Sequence, residues 1–253
     1  MKIVASIQAR LSSSRLPGKV LMELEGKPIL QWQVERLSQS RLIDEVIVAT
    51  TTNSADNKIE NFCKKNHIKC FRGSENDVLE RISNLINEYQ ADIHVECFGD
   101  SPLVDPQIVD EYINYLLNNM DEIDLVTNTI KTTYPPGSEV TVHKGSALTK
   151  ANQIVNNNDP LREHVSLNIK SRPQIFSCTN IEAPQYLNHP ELYIEIDTPE
   201  DLEVMQFIFS RMMQTVSKNF SLAEIINLML ANPDIAIINS KVSRRWKKFI
   251  NHD

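Results

Sequence analysis

The chain has 253 residues, of which 33 are acidic and 26 basic, for a formal charge of −7. With 41% apolar and 23% charged residues it is globular rather than disordered, and no apolar run approaches the roughly 18 residues of a membrane span. The acidic balance argues against a nucleic-acid partner. The start MKIVASIQAR lacks the apolar core of a signal peptide, and four scattered cysteines offer neither a CxxC metal site nor a disulfide framework, so the expected compartment is the cytoplasm.

In chain order, apolar runs alternate with amphipathic patterns. Ile3–Ala9 reads as a strand, followed by a polar loop to Lys19. Pro28–Ser38 has helical spacing, Glu45–Thr50 (EVIVAT) is a buried strand, Ala55–Lys65 is helical and Ile68–Phe71 is a further strand. Asn76–Tyr89 carries apolar residues at 78, 79, 82, 85, 86 and 89, a helical stripe with Ser74 as its expected N-cap. Ile93–Phe98 is a strand, and Asp105-Pro106 opens a helix with a capping carboxylate and a proline that needs no N–H. This alternation predicts right-handed crossovers and an α/β fold, with a mostly parallel central sheet flanked by helices.

The second half is less regular. Strands are expected at Asp124–Thr127, Glu139–Val142, Gln174–Thr179 and Leu192–Ile196, and a helix at Leu161–Lys170. Thr198-Pro199-Glu200-Asp201 is a strong helix start. Residues 1–216 are read as the main domain. Residues 217–253 are read as a C-terminal helical extension packed on it, with a helix over Leu222–Leu230, a short strand and the basic tail SRRWKKF.

Three junctions carry chemistry. The loop Gln8–Lys19 (QARLSSSRLPGK) holds Arg10, Arg15, Lys19, three serines and Gly18 just beyond the first strand, where open α/β sheets place ligands. Guanidinium groups bind phosphate bidentately, lysine binds it as a point charge, and loop N–H groups can form an anion nest. The loop matches neither GxxxxGK[ST] nor GxGxxG, and Lys19 is expected to be an exposed cation without a packing role. Asp100, in GDSP, and Asp197, after YIEI, each end a strand. Two such hard oxygen ligands suit Mg2+ shared with phosphate oxygens. Two close carboxylates repel, so neutralising Asp197 is expected to leave stability unchanged or raised. A solvated basic loop, a turn Asp and a helix cap are the ordinary alternatives.

The segments IQARLSSSRLPGKVL, VATTTN, FRGSENDVLER, GDSPLVDP, YPPG, REHV and IDTPEDLE occur in this order. Over about residues 1–210 the chain resembles the cytidylyltransferases of acidic sugars, most closely their spore coat polysaccharide (SpsF) branch, with CMP-sialate and CMP-Kdo synthetases as relatives. The resemblance implies a GT-A-like nucleotidyltransferase fold and a homodimer. It also implies Mg2+-dependent transfer from CTP to an acidic 2-keto-3-deoxy sugar, with release of pyrophosphate, for surface glycan synthesis. It assigns the triphosphate grip to Arg10 and Lys19 with Ala9, Leu11, Gly18 and, more loosely, Arg15. It assigns Arg72 and Ser74 to the nucleotide, Asp100 and Asp197 to Mg2+, and Tyr134, Glu139, Arg162, Glu163 and His164 to the sugar side. Ser12 stands where many relatives carry Gly, and Glu139 where Asp is commoner. The rivals are a nucleotidyltransferase for a sugar phosphate or other small phosphorylated acid, a GT-A glycosyltransferase, whose DxD is missing here, and a non-catalytic nucleotide-binding protein.

Overall fold

The computed structural model describes residues 1–215, 219–244 and 246–247. The expected C-terminal extension falls partly outside the described residues, Arg245, Lys248 and Phe249 of the basic tail included. Strand β1 (Ile3–Gln8) leads into the polar loop, a 3₁₀ turn at Lys19–Leu21 and a small ribbon of β2 (Glu23–Leu24) with β3 (Lys27–Pro28). Then come α1 (Ile29–Leu37), β4 (Glu45–Thr51), α2 (Asn57–Lys65), β5 (Lys69–Gly73), α3 (Val78–Tyr89), β6 (Ile93–Phe98) and α4 (Pro106–Asn118). The second half adds β7 (Leu125–Thr127), β8 (Thr141–Lys144), α5 (Gly145–Ile154), α6 (Leu167–Lys170), β9 (Cys178–Asn180), α7 (Pro199–Thr215), α8 (Leu222–Ala231) and α9 (Pro233–Ala236).

The sheet order is β5-β4-β1-β6-β8-β7-β9, and β8 alone runs against its neighbours. The alternation of each strand splits the core into two apolar layers. Ile3, Ala5, Ile7 and Val48 face the layer that also holds Trp32, Val109 and Phe209, while Val4, Ile47 and Ala49 face Leu79, Ile82 and Leu148. Phe220, Leu222, Ile225 and Met229 join the first layer, so α8 packs into the same body as the strands. Asp105 caps α4 as expected, its Oδ1 accepting from Gln107 N–H at 2.9 Å, and its Oδ2 takes Leu222 N–H at 2.8 Å, which ties α8 down.

The departures lie where local chemistry beats pattern. Asp77, not Ser74, caps α3, accepting from Glu80 N–H at 2.8 Å. Residues 161–170 do not form one helix. Asp159 and Pro160 start a 3₁₀ turn that ends at Glu163, extended His164 interrupts it, and α6 follows. Leu192–Ile196 lies outside the sheet, because Ile194 N–H donates to Pro136 O at 2.7 Å and Ile196 N–H to Asp100 O at 2.9 Å, both loop carbonyls. Of Gln174–Thr179 only the last two residues enter β9, and of Glu139–Val142 only Thr141 and Val142 enter β8. After α8, Asn232-Pro233 opens the short helix α9 where a strand was expected.

Candidate active site

Topology brings the functional loops to one edge. Strands β1, β4, β5 and β6 end there, so the loops 9–18 and 99–105 open side by side. The reversal of β8 pairs Thr141 with Glu96, which delivers the preceding segment, with Tyr134 and Glu139, to the same edge. Gly137 then permits a close crossing. Its φ is +104°, and a Cβ there would lie 2.3 Å from the Ile194 carbonyl carbon and 2.4 Å from Glu195 N. The cleft at this edge measures about 660 Å³, the size of a small-molecule site.

Lys19 sits at its centre. It is 8% exposed, not the surface cation expected from its loop position. Its ammonium donates to Asp100 Oδ2 at 2.8 Å, Asp197 Oδ1 at 2.9 Å and Ile196 O at 2.6 Å, which uses all three of its N–H groups. Asp197 Oδ2 accepts from Arg15 Nη2 at 2.5 Å. Burial alone would lower the Lys19 pKa, but Asp100 and Asp197 outweigh it and hold it above the ordinary value. Burial would likewise raise Asp197, but Lys19 and Arg15 hold it below the usual carboxylate range. The two carboxylates therefore share a cation and do not simply repel, so the expected neutral or stabilising effect of removing one charge does not apply.

Ala9, Arg10, Arg15 and Arg81 line the cleft together with Tyr134, Glu139, Glu163 and His164. Arg10 Nη2 reaches Glu163 Oε1 at 3.3 Å, with side chains 44% and 57% exposed. Burial, reinforced by the charges of Asp100 and Asp197, pushes Glu139 up to about 7, against the pull of the Gly137 N–H. Glu195, 7% exposed, is pushed up to about 8 by burial and then by Glu139. Burial also depresses His164. Deeper in, Glu96 accepts from Gln8 Nε2 at 3.1 Å and Lys170 Nζ donates to Thr129 Oγ1 at 2.7 Å.

Arg81, Glu96, Lys170, Glu195 and Trp246 line the cleft and were missed in the sequence. Two of them left a signal. Glu195 stands two residues before Asp197 in extended YIEID, the spacing that puts both on one side. Glu96 is a carboxylate inside an apolar strand, rarely found without a job. Trp246 left none.

Five expected site residues do not line the cleft. Leu11 N–H is taken by Asp56 Oδ1 at 2.8 Å, which ties the loop to the turn before α2, and Leu11 O by Gly18 N–H at 3.0 Å, which closes the loop on itself. Arg72 spends its guanidinium on Glu60 (2.6 Å), Asn57 (2.8 Å) and the Thr51 and Asn53 carbonyls (each 2.9 Å), pinning β5 to α2 and the segment before it. Ser74 Oγ accepts from Asp77 N–H at 3.1 Å in the turn before α3. Arg162, 4% exposed, joins Asp77 (2.7 Å), Asn152 Oδ1 (2.6 Å) and Val155 O (3.1 Å) as a buried staple.

Among the described residues no cluster of three or more His, Cys, Asp or Glu could hold a metal. The convergent pair Asp100 and Asp197 fits a hard dication only of the kind that takes one or two carboxylates and completes its shell with phosphate oxygens and water. Among the described residues no helix is long and apolar enough to cross a membrane.

Known proteins give the arrangement a family. The cytidylyltransferase family profile matches residues 4–238. The spore coat polysaccharide biosynthesis protein SpsF of Bacillus subtilis is 31% identical over 92% of this chain and 96% of its own. The structure of a cytidylyltransferase from Leptospira borgpetersenii superposes with a TM-score of 0.87 at 32% identity, over 96% of this chain and all of that one. A CMP:2-keto-3-deoxy-manno-octonic acid synthetase complexed with CTP shares the fold, with a TM-score of 0.63 at 19% identity over 83% of this chain and 99% of that one. The chain, with its mostly parallel nucleotidyltransferase sheet, belongs to the cytidylyltransferase family.

Proposed function

We propose that the protein transfers CMP from CTP to an acidic sugar of the 2-keto-3-deoxy class for surface glycan synthesis, as a Mg2+-dependent cytoplasmic homodimer. The observation that carries this reading is one cleft in which Lys19 bridges Asp100 and Asp197 beneath a loop bearing Arg10 and Arg15. By their names, the SpsF relative supports the role in polysaccharide synthesis and the CMP:2-keto-3-deoxy-manno-octonic acid synthetase supports the substrate class.

In this reading the acceptor hydroxyl gives up its proton to water as its oxygen bonds to the α-phosphorus of CTP, the bond from that phosphorus to the oxygen bridging to the β-phosphate breaks, and pyrophosphate leaves. Arg10 and Arg15 face the leaving oxygens and stabilise their charge, work that is electrostatic and positional. Lys19 has its three N–H groups engaged, so it gives up one internal contact to meet phosphate. Asp100 and Asp197 would hold Mg2+, which when bound neutralises phosphate charge and acidifies a bound hydroxyl. Tyr134, Glu139 and His164 face the acceptor end.

The test is pyrophosphate release with CTP, UTP, ATP and GTP against a panel of 2-keto-3-deoxy sugar acids and sugar phosphates. Release with CTP and a sugar acid, abolished by chelating Mg2+, is the expected result. Equal release with UTP or GTP removes the cytidine assignment, and release only with sugar phosphates removes the acidic acceptor.

A further inference from the structure

Ser243, Arg244 and Trp246, described residues of the basic tail singled out in the sequence, contact the site. Arg244 has a fully buried side chain. Its guanidinium forks onto Asp201, Nη2 to Oδ1 at 2.7 Å and Nη1 to Oδ2 at 2.9 Å, and stacks 4.5 Å over the Tyr193 ring. Asp201 in turn accepts the backbone N–H groups of Asp197 and Thr198 on Oδ2, each at 2.9 Å. Asn239 Nδ2 donates to Asp201 Oδ1 at 2.8 Å and to Tyr193 O at 3.0 Å. One residue before Arg244, Ser243 O accepts from Arg15 Nη1 at 3.0 Å, the same arginine that holds Asp197. Trp246 Nε1 donates to Glu195 Oε1 at 2.9 Å, and its ring lines the cleft.

These contacts form one chain of support. Asp201 alone would cap α7, but a buried carboxylate with so many donors is rigid only if its own charge is matched. Arg244 supplies the match with a bidentate fork that lysine cannot reproduce. The peptide of Asp197 is thereby fixed from behind while its carboxylate faces Lys19. We propose that the segment around Arg244 and Trp246 is a working part of the active site, in which Arg244 is a positioning residue that presets Asp197 through Asp201, and Trp246 is the wall beside the bound nucleotide. This rests on the reading of Asp197 as a ligand-binding carboxylate, and it adds to the site a segment lying beyond the strands and loops that build the rest.

The test is calorimetric binding of CTP in Mg2+ to the full chain, with R244Q, D197N and the double variant. R244Q should weaken binding at least fivefold in the wild-type background and less than twofold once Asp197 is already Asn, because the two act in series. Equal losses in both backgrounds, or none in either, overturn the positioning role. Wild-type protein that fails to bind CTP overturns the nucleotide reading itself, and the proposal with it. Should R244Q not fold, tryptophan emission decides. Trp32 is 2% exposed in the core, so emission that shifts on titrating CTP in Mg2+ reports Trp246. The shift should vanish in W246F. No shift in wild type, or one that survives in W246F, overturns the placement of this segment beside the ligand.

Discussion

The two walls of the cleft are built on opposite electrostatic terms. The wall from the β1 loop carries Arg10, Arg15 and Lys19, and the carboxylates it touches, Asp100 and Asp197, are met by cations within 3 Å. The other wall carries Glu139 and, two residues before Asp197 on the same segment, Glu195. Glu139 is held by Gly137 N–H (3.0 and 2.9 Å), while Glu195 shares Arg244, at 3.3 Å, with Asp201. The same functional group is accordingly driven in opposite directions: Asp197 below its ordinary range, Glu139 and Glu195 up to about 7 and about 8. Environment, not residue type, sets the protonation of a carboxyl. One wall is charged; the other holds protons near neutrality.

The sharpest way to break this contrast is to remove the cation of the first wall. Lys19→Met leaves two enclosed carboxylates facing each other. We expect kcat/KM for CTP to fall by about 10²-fold or more and stability to fall by about 3–5 kcal/mol, as for a broken buried pair. Urea unfolding and steady-state kinetics on the same variant check both; an unchanged midpoint means the pair is not held by Lys19.

Asp197→Asn is next. It should cost about 10²-fold in turnover and about 1–3 kcal/mol in stability, because charge-assisted bonds to Lys19 and Arg15 weaken. A normally active, destabilised variant would reduce Asp197 to a structural ion-pair partner.

The activity losses follow from the places the sequence suggests for Lys19 and Asp197, but the stability losses could not have been reached from it. The strands of the first half, the α4 cap and the loop-and-strand-end placement of Arg10, Lys19 and Asp100 were legible, because a parallel βα unit has a strong period and a fixed edge for its ligands. What failed was pairing. Lys19 reads as exposed until a residue 178 positions away is folded against it. Arg72 and Arg162 read as ligand contacts because a sequence does not show that their guanidiniums are already spent on Glu60 and Asp77. The segment Leu192–Ile196 has a strand's composition, but its partners are loop carbonyls of Pro136 and Asp100, which no local pattern encodes.

The second wall is tested by pH. The folded protein holds the Glu139 proton up to about pH 7, whereas the unfolded chain releases it near the ordinary value of 4.5. Between those values the folded state binds more protons, so stability falls as pH rises through this window. Asp197 has the opposite sign: its contribution is present above the unfolded carboxylate pKa and is lost as acid takes the pH down through its lowered folded value. Glu139→Gln should therefore flatten the decline between pH 5 and 7 and stabilise the protein at pH 8 by about 1 kcal/mol. A decline that stays as steep would place the titrating carboxyl elsewhere.

The smallest expected effect lies at the mouth, where the two walls touch. Arg10 and Glu163 are half exposed and 3.3 Å apart, a geometry worth about 0–1 kcal/mol in water. Breaking it with Glu163→Gln should leave the melting temperature nearly unchanged. Yet the pair competes with any anion that needs Arg10, so its loss frees the guanidinium in the unliganded protein. Affinity for CTP should then rise, by no more than the pair was worth, about two- to fivefold, and the gain should shrink at high salt because both groups face water. A sugar-contacting Glu163, the role that the family resemblance implies, predicts another pattern: CTP affinity unchanged and the acceptor KM raised. Measuring the two KM values on this one variant decides whether Glu163 belongs to the acceptor or serves as a placeholder for the phosphate that displaces it.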